Sequence, residues 1–235
     1  MNCFHHQQKY FSLAFFLLLA MVTLTGCIDL SGSRNAYTKS VGQQANYFSK
    51  KAIKSTKGEV HTMRGGLGIF SIGMNQLRDA TEVQFSIPAY STMWYNAGDV
   101  SRSIINNYYK QKIHRPIILI GHSLGANEQI KVARNLNAAG VPVALLVTVD
   151  AVSQTIVPPN VKEVLNVYKP GFVPMFSGLR LRAVNPNATR IENINANTLK
   201  GAKVNHFTID KDKVVQALIL DKVKKVLING KRKGA

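Results

Sequence analysis

Cysteine is scarce in this chain: there are two, Cys3 and Cys27. The residues beyond them cannot close an intrachain disulfide, so that part of the chain must be held by a packed core. Acidic residues are few as well, 12 against 30 lysines and arginines, a formal net charge of +18 at pH 7. A balance that lopsided bears on partners and solubility, not on fold. The apolar run from Phe11 to Leu24 is short of the roughly 20 residues that cross a bilayer. The histidines show no metal-ligand spacing, and Gly65-Gly66-Leu67-Gly68 lacks the pattern of a phosphate loop. No metal, nucleotide or other cofactor is expected.

What the N-terminus has instead is a targeting pattern. Lys9 precedes the Phe11–Leu24 run, which has the length of a signal-peptide core. It ends in Leu24-Thr25-Gly26-Cys27, which resembles the bacterial lipobox, where the cysteine becomes the lipidated first residue. The resemblance implies removal of residues 1–26 and a lipid anchor, palmitate included, on Cys27. It also implies a periplasm-facing protein of the bacterial envelope. An Asp directly after the cysteine favours inner-membrane retention in such lipoproteins; Ile28 stands there and Asp29 follows, so the outer membrane is favoured.

Removal of that segment takes away one lysine and no acid, leaving 29 basic against 12 acidic residues, a formal +17. Behind a secretion signal, and without a recognition motif, nucleic acid is not an expected partner. Anionic envelope surfaces are. Residues 27–57 are polar, basic and without sustained periodicity, and read as a tether. About 178 residues from Gly58 to Ala235 remain, enough for one domain with a sizeable core.

In that domain strand and helix patterns alternate, the signature of a parallel sheet with crossovers. The expected strands are Glu59–Met63, Thr81–Ile87, Ile117–Ile120, Pro142–Val149, Glu163–Tyr168 and Thr189–Ile194. Expected helices lie around Ser71–Asp79, over Asp99–Tyr109 and after the third strand. A last helix, capped by Asp210 and stopped by Gly230, carries Val214, Val215, Leu218, Ile219, Val223, Val226 and Leu227 on one stripe. The expected class is α/β, a mostly parallel sheet of about six strands with helices on both faces. No insertion is long enough for a separate lid domain.

Between the third strand and its helix sits Gly121-His122-Ser123-Leu124-Gly125, a G-x-S-x-G match. The pentapeptide alone would occur by chance in about one chain in ten of this length. Its flanks decide the matter, since an apolar strand before and a helix after are what the motif needs. Strand-GHSLG-helix resembles the α/β-hydrolase family of serine esterases, lipases and thioesterases. The resemblance implies a Ser-acid-His triad in that chain order, with Ser123 as nucleophile.

A serine hydroxyl needs an imidazole to take its proton and a carboxylate to orient that imidazole. His61 lies well before the motif, His114 at the far end of its strand, and the His122 ring cannot reach the neighbouring oxygen. His206, in the loop before the last helix, is where the family keeps its base. Asp150, ending an apolar strand at the same sheet edge, is the expected acid, with Glu192 and Asp210 as alternatives. Oxyanion donors are expected from the backbone N–H of Leu124 and from the loop after the first strand, at Gly66 or Leu67. Arg64 stands there in place of the family's usual histidine. Trp94, Phe172, Met175 and Phe176 are candidates for the acyl pocket.

The sequence thus points to a membrane-anchored serine hydrolase cleaving an ester or thioester of a small molecule or lipid. A non-catalytic lipoprotein binding anionic partners on the same scaffold, or an acyltransferase with the same triad, are the other classes.

Overall fold

Ile117–His122 is a run of β-branched and apolar residues with no polar face, and it is buried along its whole length. A strand of that kind belongs in the middle of a parallel sheet covered on both sides. In the computed structural model, which describes residues 58–66, 68, 71–173 and 176–232, it does so as β3. The segments 1–26 and 27–57, with Cys27, lie outside the described residues, as do Leu67 and Met175.

In chain order the elements are β1 (Glu59–Arg64), α1 (Gly73–Phe85), β2 (Ala89–Met93), α2 (Ala97–Lys110), β3, α3 (Leu124–Ala138) and β4 (Val143–Val149). They are followed by β5 (Ile156–Val157), β6 (Val161–Tyr168), β7 (Arg182–Ala183), β8 (Arg190–Asn195) and α4 (Lys213–Arg232). Six strands form one sheet in the order β2-β1-β3-β4-β6-β8, and every adjacent pair is parallel. A two-stranded parallel ribbon, β5 with β7, stands apart from it and is not announced by the sequence.

Two apolar layers sandwich the sheet. Met74 and Leu77 of α1 and Val215, Ile219 and Val223 of α4 pack on one face, with Val60, Ile118, Ile120 and Val147 from the strands. Val100 and Ile104 of α2 and Ile130, Ala133 and Leu136 of α3 pack on the other, against Met63, Leu119 and Leu146. Each such Val, Leu, Ile or Met side chain contributes roughly 1.5–3 kcal/mol of burial. With no disulfide available to this part of the chain, these layers hold the domain together.

The second strand is corrected. Thr81–Ile87 alternates like a strand, yet Thr81 to Phe85 belong to α1 and the strand is Ala89–Met93. Met74, Leu77 and Thr81 are buried at helical spacing, while Val83 is 81 % exposed. A strand would have wanted Val83 inside. The helix stops at Ser86 in a left-handed conformation, just before Pro88.

The end of the chain differs too. Asp212, not Asp210, caps α4, its Oδ1 accepting the N–H groups of Val214 and Val215. The helix also continues through Gly230 to Arg232.

The strand order sets the position of the site. The first crossover leaves β1 toward β2 and the next returns past it to β3, so the winding order reverses between β1 and β3 while the strands stay parallel. Loops leaving adjacent strands in opposite directions open a crevice at the carboxyl ends. The loop after β1 and the turn after β3 both lie there.

Candidate active site

Ser123 stands at the turn between β3 and α3 with φ 56° and ψ −124°, a strained backbone for a residue with a side chain. The surroundings enforce it. Its N–H is held by the carbonyl of Val149 on β4, and its carbonyl accepts from Ala126 and Asn127 in the first turn of α3. The two motif glycines make the turn possible. A methyl on Gly121 would overlap the Gly125 carbonyl, and one on Gly125 would overlap the Met63 carbonyl of β1. Strand, helix and neighbouring strand meet backbone to backbone, so the spacing G-x-S-x-G follows from packing.

Asp150 follows β4, also at positive φ (54°), with its N–H held by Val167 on β6. Its carboxylate is fully buried. Oδ1 accepts the Lys169 N–H at 2.6 Å, and Oδ2 lies 2.7 Å from Nδ1 of His206. His206 Nε2 in turn lies 2.9 Å from Ser123 Oγ. A carboxylate can only accept, so Nδ1 carries the proton and Nε2 is left to accept from the serine hydroxyl. Residues far apart in sequence thus form one hydrogen-bonded chain from carboxylate through imidazole to hydroxyl.

The alternative acids are engaged elsewhere. Glu192 faces Lys222 at 3.4 Å. Asp210 is fully buried, and its Oδ2 accepts the N–H of Gly73 at the start of α1. Its Oδ1 is buried without a partner. Burial pushes the Asp210 carboxyl up to about 6, against the lowering effect of the Gly73 N–H. The folded chain therefore keeps this proton to higher pH than the unfolded chain, whose carboxyl titrates near 3.8. The stability it contributes is complete below that value and is lost as pH rises through about 6. Asp210→Asn, which keeps an acceptor for Gly73, is expected to gain stability over the native chain between pH 4 and pH 7, by up to about 3 kcal/mol. Urea unfolding of both chains at the two pH values checks this; a difference that does not vary with pH would refute it.

The loop after β1 presses against the serine turn. A methyl on Gly65 would lie 2.8 Å from the Leu124 nitrogen and 2.9 Å from Ser123 Cβ. Leu124 opens α3, where N–H groups have no intrahelical partner. Gly66 follows Gly65 in the same loop, and its carbonyl accepts the Trp94 indole N–H at 2.8 Å. Trp94 thus holds this loop. Phe176 sits edge-on to the His206 ring at 5.4 Å, and Phe207 lies 5.2 Å from Phe176. Phe172 is fully exposed.

One histidine that the sequence excluded as the base, and gave no other role, belongs to the site. His122 is buried, with Nδ1 2.7 Å from Ser71 Oγ and Nε2 2.9 Å from the His206 carbonyl. Burial, and then the neighbouring His206, pull its pKa down to about 3. It is a neutral structural ring. No group of three His, Cys, Asp or Glu side chains among the described residues is arranged to hold a metal ion.

Parallel sheet, helices on both faces, reversal beside β3 and a strained serine turn there together define the architecture. It is an α/β-hydrolase fold. No family model and no curated protein matches the chain. Similar solved structures include a cutinase-like protein from Cryptococcus sp., 16 % identical with a TM-score of 0.45, over 72 % of this chain and 94 % of that one. Human thioesterase 2 is 9 % identical with a TM-score of 0.43, over 73 % and 97 %. The type II thioesterase BorB from the borrelidin biosynthetic cluster is 9 % identical with a TM-score of 0.42, over 70 % and 90 %.

Proposed function

We propose that the chain is a serine hydrolase that cleaves a carboxylic ester or thioester through an acyl-enzyme. The observation that carries this reading is the continuous chain Asp150–His206–Ser123, with separations of 2.7 and 2.9 Å. A buried carboxylate, imidazole and hydroxyl in line serve to move one proton.

The steps follow from the geometry. Ser123 Oγ attacks the substrate carbonyl carbon while its proton passes to His206 Nε2. Asp150 holds the imidazolium that results. The carbonyl oxygen becomes an oxyanion, which the N–H groups of Leu124 and Gly66 receive. Collapse of the adduct expels the alcohol or thiol, which takes the proton from Nε2, and leaves the acyl group on Oγ. Water then attacks the ester, giving its proton to Nε2, and the acid departs as Oγ regains it. Phe176 and Phe207, 44 % and 39 % exposed beside the imidazole, favour an apolar group on the substrate.

In this reading residues 1–26 are a signal peptide and Cys27 carries the lipid. Residues 27–57 tether the domain to a bacterial envelope membrane, the outer one favoured, facing the periplasm. The net positive charge would hold it against anionic envelope surfaces.

The test is labelling of the full chain in detergent with a fluorophosphonate probe, beside Ser123→Ala and His206→Ala. Labelling of the native chain and its loss in both variants is the expected result. An unlabelled, folded native chain would refute the enzyme and leave a binding scaffold. Labelled palmitate fed to expressing cells should be incorporated in the native chain and lost in Cys27→Ser.

A further inference from the structure

The buried ring of His122 has no part in the proton path from Asp150 to Ser123, yet it touches both loops that the path and its oxyanion need. Its two nitrogens have fixed roles. The His206 carbonyl can only accept, so Nε2 of His122 carries the proton and donates across 2.9 Å. Nδ1 therefore accepts, and the Ser71 hydroxyl 2.7 Å away donates to it. With its proton committed there, Ser71 Oγ accepts the N–H of Gly65 at 3.1 Å. The line runs from Gly65 through Ser71 and His122 to the backbone of His206. At one end is the loop that presses on Leu124; at the other is the base. Both side chains are about 1 % exposed, so no water competes for these bonds.

We propose that Ser71 and His122 are positioning residues forming a two-armed clamp. One arm orients the oxyanion loop at Gly65 and Gly66, the other fixes the backbone that carries the His206 imidazole. The clamp in this form needs a neutral ring, because a second proton on Nδ1 would reverse its bond with Ser71 and turn the hydroxyl proton toward the Gly65 carbonyl, 3.4 Å away. Burial keeps the ring neutral across the pH range in which an imidazole base works. The proposal rests on the serine-hydrolase reading for its consequence in turnover, but not for its geometry.

Two amides separate the arms. The nitrogen of a glutamine can stand where Nε2 stands, so His122→Gln keeps the bond to the His206 carbonyl and gives up Ser71. The oxygen of an asparagine can stand where Nδ1 stands, so His122→Asn keeps Ser71 and gives up the base. With p-nitrophenyl butyrate as substrate, His122→Gln and Ser71→Ala are each expected to lower kcat about 10–100-fold, with KM and the pH midpoint unmoved, as when an oxyanion donor is misplaced. His122→Asn is expected to lower kcat and also to move the pH midpoint of kcat/KM, because the base has shifted. Adding Ser71→Ala to His122→Gln should cost nothing more, whereas adding it to His122→Asn should cost its full factor.

Independent factors in both backgrounds would overturn the clamp, and so would variants within twofold of the native chain. Losses that simply follow the melting temperatures would overturn it equally. Nitrogen-15 spectra of the imidazoles test the geometry without any turnover. His122 should be a neutral ring protonated at Nε2, and Ser71→Ala should change its Nδ1 shift. If the native chain hydrolyses nothing, these spectra still decide the clamp, while the function falls separately.

Discussion

Asp150→Asn should lower ester turnover about 10⁴-fold while leaving the fold in place. The reason is specific to this site. Oδ1 of Asp150 accepts the Lys169 N–H at 2.6 Å, and that N–H can only donate. An asparagine must therefore turn its oxygen to Lys169 and its NH₂ to His206. The imidazole then meets a donor at Nδ1 and responds by moving its own proton to Nε2, where it faces Ser123. The base is still present, at the right distance, in the wrong tautomer. KM should change little, since the carboxylate is buried beneath the imidazole and not offered to substrate. Steady-state kinetics with a melting curve for each chain checks this. A variant within tenfold of the native rate would mean that the carboxylate does not orient the base.

The same site shows what a sequence can and cannot disclose. The serine turn was legible because its cause is local: two glycines four apart, an apolar strand before them and a helix after. Strands β1, β3, β4, β6 and β8 were legible for the same reason, since period and composition are properties of neighbours in the chain. Thr81–Ile87 misled because its alternation is too short to exclude a helix: Leu77, Thr81 and Phe85 lie at helical spacing, and Val83 falls on the exposed side. Only the packing of Met74 and Leu77 against the sheet, with Thr81 buried on the same side, decides between strand and helix. His122 was set aside because its ring could not reach the Ser123 oxygen, and the ring does not touch it. Its partners lie 51 and 84 residues away, and no local pattern marks Ser71 or the His206 carbonyl as its neighbours. Asp210 looked like the cap of α4 because it precedes an amphipathic stripe. Asp212 wins that role, and Asp210 turns to the N–H of Gly73.

Distance in sequence also hides the glycine that makes room for the Asp150 carboxylate. Nothing around Gly178 distinguishes it from an ordinary loop residue. In the fold, a methyl there would overlap Oδ1 of Asp150 and lie 2.9 Å from its Cγ and from the Lys169 nitrogen. Neither side can yield easily. The loop is tied down by the Gly178 N–H to the Lys169 carbonyl and the Leu179 N–H to the Ala151 carbonyl, both at 2.9 Å. A ladder of amides reinforces it: Asn166 donates to the Leu179 carbonyl, and Asn193 Oδ1 accepts the Leu181 N–H. The carboxylate, for its part, is fully buried between Lys169 and His206. Gly178→Ala is therefore expected to displace the carboxylate, lowering turnover about 10³–10⁴-fold, close to the loss in Asp150→Ala. Overpacking should also destabilise the fold by about 1–3 kcal/mol. Combining Gly178→Ala with Asp150→Ala removes the overlap, so the double variant should recover stability relative to the sum of the two and gain no activity. Urea unfolding and ester hydrolysis on the four chains measure both quantities. A Gly178→Ala chain with near-native turnover would mean that the loop gives way and that the carboxylate does not depend on this glycine for its place.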